Sequence, residues 1–376
     1  MPPHIFARAL PARRPANVVD HHALIAGRHP PLEVGWTDAP HQMLALGDFE
    51  LESGECIRDM YLSYVVHGDS AGYEQDRSGR DSKPTVLALC AIGSTHHRLD
   101  FLIGPCRALD PEHLRIVVID AIGNGLSSSP SNSVLQPGRA FPRFSIADMV
   151  HSQNLLLRHL GVRRLHAVVG ASMGGMQALA WAVLYPDMAG RIVAMTPMAK
   201  TAHWSRLINT MARAQLEAGL ARVAAGAPAH DAWTDWVPLM QALSMRTPAQ
   251  FDRELGTDAD VASWLAARLV WWRTQNVDPL DWIAQSHAYD GHDLGKLAGW
   301  GGNTEQALAD IHAPVLIAAP ALDLYNPFDS ARLAAEHIPR STWLGLPGES
   351  GHVAASAFDV DATCVLNEVM RSFLVP

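Results

Sequence analysis

Residues 168–177 read VVGASMGGMQ, and the serine at their centre decides how the chain is read. Gly170, Ala171, Ser172, Met173 and Gly174 fit G-x-S-x-G, the spacing that sets a nucleophilic serine on a strained turn between a strand and a helix. By itself the pattern is short enough to arise by chance, so its neighbours must supply the context. Before it stands RRLHAVV, a short apolar strand. After it, MGGMQALAWAVLYPD has the Ala, Leu and Trp content of a packed helix. Gly170 and Gly174 relieve crowding where such a turn packs back on both elements.

Outward from this corner, short β-branched runs alternate with helical stretches, the pattern of an α/β fold with a mostly parallel sheet. The expected strands are FELESG, DMYLSYVVHG, TVLALCAI, LRIVVIDAIG, LHAVVG, RIVAMTPM, APVLIAAPA and STWLGLPG. Several are continuous apolar runs, as strands covered on both faces must be. Ser145 opens SIADMVHSQNLLLRHLGV as an N-cap with an acid three residues on, and Gly161 closes it. From residue 201 to 300 the alternation stops, and Ala, Trp, Leu and Arg recur at helical spacing. The organisation expected is an α/β core over 44–200 and 301–376, a helical lid inserted at 201–300, and an extended or loosely ordered leader at 1–43. No internal repeat interrupts it.

A serine hydroxyl needs a base, and the base needs an acid to orient it; in this kind of fold they follow in the order Ser, Asp, His. LDLYNP after APVLIAAPA supplies Asp323, and ESGHVA after STWLGLPG supplies His352, 29 residues further on. Asp329 is a rival acid, but it falls inside the helical stretch FDSARLAAEHI. The developing oxyanion needs two backbone donors: the N–H of Met173, at the positive end of its helix, and that of Ile92 or Gly93 in the loop CAIGSTHH.

Composition bounds the partners. The 376 residues are 48% hydrophobic, enough for a large core, and carry a formal charge of -9 without a basic cluster. Neither nucleic acid nor an anionic membrane is an expected partner. With no long apolar run and no signal-peptide pattern, a cytoplasmic protein is expected. The four cysteines lie far apart with no C-x-x-C pair, and the histidine doublets among 19 histidines lack acids or cysteines at ligand spacing. The expectation is therefore no disulfide, no metal site and no bound cofactor.

The string VVGASMGGMQALAW resembles the nucleophile segment of the homoserine O-acetyltransferase family, in which a serine between glycines is followed by MGGMQAL. LGDFELESGE, LIGPCRALDPEHLRIVVIDAIGNG with SSSPSN, LSMRTPAQF, LDWIAQSHAYDGHDLG, LDLYNP and ESGHVA extend the resemblance over residues 44 to 374. It implies an α/β-hydrolase core with a helical lid, a Ser172, Asp323, His352 triad, an acyl-serine intermediate and a homodimer made through lid helices. It also implies a lid arginine that holds the substrate carboxylate, yet the matching position falls at about Pro238, with Arg213 and Arg246 nearby. AIGNGLSSSPSN is closer to the family's ester-hydrolysing relatives. Two activities follow: hydrolysis of a small carboxylic ester, or transfer to an alcohol or amino-acid acceptor with acetyl-CoA as co-substrate. A binding protein that kept the fold is the third. Trp204, Trp233, Trp236, Trp264, Trp271, Trp272 and Trp282 in the lid suit packing, an apolar pocket or a dimer seam.

Overall fold

The computed structural model describes residues 28–68, 83–244, 246–297 and 299–375. Eight strands form one sheet: β1 (Gln42–Glu50), β2 (Cys56–His67), β3 (Thr85–Leu89), β4 (Arg115–Ile119), β5 (Ala167–Ala171), β6 (Ile192–Met195), β7 (Val315–Pro320) and β8 (Ser341–Leu346). Their order is β1-β2-β4-β3-β5-β6-β7-β8. β1 and β2 are antiparallel, β2 meets β4 antiparallel, and every later pairing is parallel. All eight expected strands are present. The first is displaced: β1 begins at Gln42, and Leu51–Gly54 of FELESG is the hairpin turn, where Leu51 N–H donates to Glu55 O and Gly54 has φ 85°.

Alternation along the central strands loads both faces. Leu87, Leu89 and Val168 enter one core, and Val86, Ala88 and Val169 enter the other. The first core is closed by α1 (Ile146–His159) and α2 (Met173–Leu184), through Met149, Leu156 and Leu179 among others. The second is closed by the 3-10 helix His96–Leu102 and by α10 (Val360–Leu374), through Leu99, Leu366 and Met370. α1 starts as expected. Ser145 and Asp148 form a reciprocal capping box, and Gly161, at φ 73°, turns the chain out of the helix.

Between β6 and β7 lie α3 (His203–Ala224), α4 (Trp236–Ser244), α5 (Pro248–Glu254), α6 (Asp258–Thr274), α7 (Pro279–Gly291) and α8 (Thr304–Ala309). α9 (Phe328–His337) follows β7. No helix among the described residues is long and apolar enough to cross a membrane.

The expected leader needs correction. Its residues 1–27 lie outside the described residues, and 42–43 belong to β1, but 28–41 are held by specific contacts. Arg28 donates to Ser131 Oγ and O, Thr37 N–H donates to Asp100 Oδ2, and Trp36 stacks on His97 at 4.2 Å between ring centroids. Proline and arginine content suggested a loose segment. Contacts made with residues about 60 to 100 positions away override it, and no local pattern encodes those.

Candidate active site

Ser172 sits between β5 and α2 at φ 56° and ψ -123°, a backbone that side-chain-bearing residues rarely adopt. The surroundings fix it there. Its N–H donates to Met195 O at 2.9 Å, tying the turn to the end of β6. A Cβ on Gly170 would stand 2.1 Å from Gly174 O, and one on Gly174 would stand 2.7 Å from Leu89 O. The two glycines thus allow strand, turn and helix to approach to backbone contact.

The acid and base loops converge on this corner. His352 Nδ1 lies 2.7 Å from Asp323 Oδ2, and His352 Nε2 lies 2.8 Å from Ser172 Oγ. A carboxylate only accepts, so Nδ1 carries the proton, and Nε2 is free to accept from the serine hydroxyl. Asp323 is held in turn: its Oδ1 accepts from the N–H groups of Tyr325 and Asn326, each at 2.8 Å. All three side chains are buried. Asp329, the rival acid, stands in the first turn of α9 with its side chain 81% exposed and paired with Arg332.

Met173 opens α2, so its N–H has no carbonyl within its own helix. Across from it, Gly93 N–H is already used, donating to Gln285 Oε1 at 2.9 Å, while Gln285 Nε2 donates to Ile122 O at 3.0 Å. Gln285 went unnoticed in the sequence because nothing local marks a glutamine on α7 as the partner of a loop 192 residues earlier. Asn326 was missed likewise. It accepts from Tyr289 OH and donates to Thr196 O at 2.7 Å, joining α7, the acid loop and the end of β6. Burial pushes the Tyr289 phenol well above its usual range, so it is a neutral donor.

Ser172 and His352 open on a cavity of about 620 Å³, whose walls include Trp236, Trp271, Trp272 and Trp282. Trp236 packs on Trp272 and Trp282 with centroids 4.7 and 5.2 Å apart, and Trp233 backs them at 5.0 Å from Trp236. Trp204 and Trp264 are elsewhere: the first is exposed and donates to Leu324 O, and the second packs on Phe251. Pro238 is on α4, whose neighbours Trp236, Met240 and Gln241 face the cavity. Arg213 is bound to Asp290 at 2.7 Å and Arg246 to Glu254 at 2.9 Å. Arg98 does line the cavity; desolvation lowers its pKa to about 10, and among the described residues no carboxylate pairs with it.

The chain matches the alpha/beta hydrolase fold family over residues 103–355. It belongs to the α/β-hydrolase family. It is 29% identical over 338 residues to an ethyl acetate hydrolase of Pseudomonas veronii, covering 85% of this chain and 91% of that one. It is 28% identical over 327 residues to a homoserine O-acetyltransferase of Corynebacterium diphtheriae, covering 79% and 83%. Among solved structures, an acetylester hydrolase from Corynebacterium glutamicum superposes with a TM-score of 0.77 at 24% identity, over 89% of this chain and 96% of that chain. A homoserine O-acetyltransferase from Bacillus anthracis gives 0.75 at 18%, over 90% and 98%. The expected kinship with homoserine O-acetyltransferases is borne out, and this α/β hydrolase has both ester hydrolases and acetyltransferases among its relatives.

Proposed function

We propose that this α/β hydrolase is a serine acyl-transfer enzyme that hydrolyses a small carboxylic ester. The observation that carries the reading is the chain of contacts Ser172, His352, Asp323 at the edge of a largely apolar cavity. Ser172 Oγ attacks the ester carbonyl carbon while its proton passes to His352 Nε2, and Asp323 stabilises the imidazolium. The oxyanion is met by the N–H groups of Met173 and Ile92, each donor lowering the barrier by roughly 3 kcal/mol. The C–O bond to the alcohol then breaks, and His352 returns the proton to the leaving oxygen. Water, deprotonated by His352, repeats the sequence and releases the acid from Ser172.

Water rather than an amino acid is favoured as acceptor because Pro238 offers no charge and Arg213 and Arg246 are engaged by carboxylates. A specific observation supports transfer as the second reading: Arg98 in the cavity wall is a desolvated cation able to hold an acceptor's carboxylate. Both readings share the acyl-serine, with acetyl-CoA as donor in the second. The test pairs p-nitrophenyl acetate hydrolysis with thiol release from acetyl-CoA in the presence and absence of homoserine or serine. Ester turnover with no acceptor-dependent thiol supports hydrolysis, and acceptor-dependent thiol release overturns it. Failure of Ser172 to label with a fluorophosphonate would remove both readings.

A further inference from the structure

Beside the cavity, a histidine doublet and a third imidazole 67 residues before it turn the same nitrogen toward one point. His96 and His97 begin the 3-10 helix after β3, and His29 comes from the segment 28–41 that folds over it. His29 Nε2 lies 3.1 Å from His97 Nε2 and 3.4 Å from His96 Nε2. The opposite nitrogens are all spoken for. His97 Nδ1 is 2.7 Å from Asp100 Oδ2, His96 Nδ1 is 3.1 Å from Asp120 Oδ2, and His29 Nδ1 is 2.6 Å from Pro30 O.

Those three partners are carboxylate or carbonyl oxygens, which only accept, so each Nδ1 carries the proton. In the neutral rings each Nε2 then presents a lone pair, and three lone pairs converge with no hydrogen between them. Such an arrangement is repulsive by itself and is relieved by a cation. The spacing suits one: nitrogens about 2.05 Å from a tetrahedral ion stand roughly 3.3 Å apart. An imidazole whose far nitrogen donates to a carboxylate or carbonyl is also the usual form of a metal-bound histidine, because that bond fixes tautomer and ring direction. Asp100 and Asp120 are themselves buried, each against one of these histidines, so a divalent charge at the three nitrogens would lie close to two buried carboxyl groups.

We propose that His29, His96 and His97 bind one zinc-type divalent cation through Nε2, pinning the segment 28–41 to the loop and helix that follow β3. All-imidazole donors select zinc and its transition-metal neighbours over magnesium or calcium, which prefer oxygen. Three protein ligands leave the fourth position of a tetrahedral ion to water. The other buried grouping, His41 with His96 and Asp120, is not the site, because His96 Nδ1 is already committed to Asp120 there. The consequence reaches the cavity. Pro30, Glu33, Trp36 and His97 are part of its wall, so the ion would hold that wall in place. Spacing along the chain gave no hint of this, since the third ligand is 67 residues from the doublet.

The test uses tag-free protein stripped with a chelator and titrated with zinc chloride by calorimetry, with thermal melts alongside. One equivalent is expected to bind and to raise the melting temperature. His29→Gln, a substitution at a half-exposed residue outside the two cores, is expected to stay folded and weaken binding more than tenfold, with no melting shift on adding zinc. His312→Gln, at an exposed histidine, is expected to bind as wild type. Wild-type protein that takes up no zinc at tenfold excess, or His29→Gln that binds as tightly as wild type, would overturn the proposal. The first of these outcomes would mean that His29 accepts from protonated neighbours instead.

Discussion

His352 Nε2 stands 2.8 Å from Ser172 Oγ across 180 residues of sequence, and all of the helical stretch from α3 to α8 lies between them in the chain. The closeness comes from strand order. β5, which delivers Ser172, is two places from β7, which delivers Asp323, and three from β8, which precedes His352. Parallel strands carry their C-terminal ends to one edge of the sheet, so three loops meet where three separated motifs were read.

Asp323 should matter through the tautomer it enforces. In Asp323→Asn an amide Nδ2 can face His352 Nδ1 and favour the form with the proton on Nε2, which no longer accepts from Ser172. We expect kcat for p-nitrophenyl acetate to fall roughly 10³- to 10⁴-fold with the fold intact. A loss of less than about tenfold would show that Asp323 is not the orienting acid.

The elbow glycines should be intolerant for steric reasons alone. In Gly170→Ala the new carbon meets Gly174 O at 2.1 Å, and that oxygen is backbone, so neither side can yield cheaply. A destabilisation of about 3 kcal/mol or more is expected in urea unfolding. Gly291→Ala at the end of α7 is the contrast: nothing lies within 4 Å of the added carbon, and a gain of about 0.5–1 kcal/mol is expected. Equal effects at the two positions would contradict the close approach at the elbow.

What was legible in the sequence was whatever is encoded locally. Strands with apolar runs, the Ser145 cap and the Ser172 corner each carry their signal within a few residues. Asp323 and His352 were reachable because chain order in a known constellation substitutes for distance. Gln285, Asn326 and the anchored segment 28–41 were not, because their roles exist only through partners brought up by the fold. Gln285 meets a backbone N–H, and any residue has one. The lid tryptophans divided for the same reason: Trp236 and Trp272 line the cavity while Trp264 packs against Phe251, although all share helical spacing.

Gln285 is expected to act as a positioning residue. It fixes Gly93 and Ile122 together, and with them the loop carrying the Ile92 N–H. Gln285→Leu fills similar space but leaves the half-buried Gly93 N–H and the buried Ile122 carbonyl unpaired, costing about 1–3 kcal/mol in stability. If the loop holds an oxyanion donor, kcat should fall roughly tenfold or more with KM for p-nitrophenyl acetate little changed. A rise in KM at constant kcat would instead assign Gln285 to substrate binding.

Asp281, buried at the start of α7, accepts from Ser131 N–H and Ser131 Oγ at 2.9 and 2.6 Å. Burial nevertheless raises its carboxyl to about pKa 7 from 3.8. The folded protein therefore holds this proton more tightly than the unfolded chain. Its carboxyl costs nothing below about pH 4, costs progressively more as pH rises toward 7, and a constant amount above that. Asp281→Asn keeps an acceptor for the Ser131 N–H and removes the ionisation. The stability of the variant relative to wild type should rise between pH 4 and 8 by on the order of a few kcal/mol, read from urea midpoints at each pH. Because the comparison is between two proteins at the same pH, other titrating groups cancel. A difference independent of pH would mean that Asp281 is ionised in the folded state throughout, stabilised by Ser131 more strongly than burial opposes it.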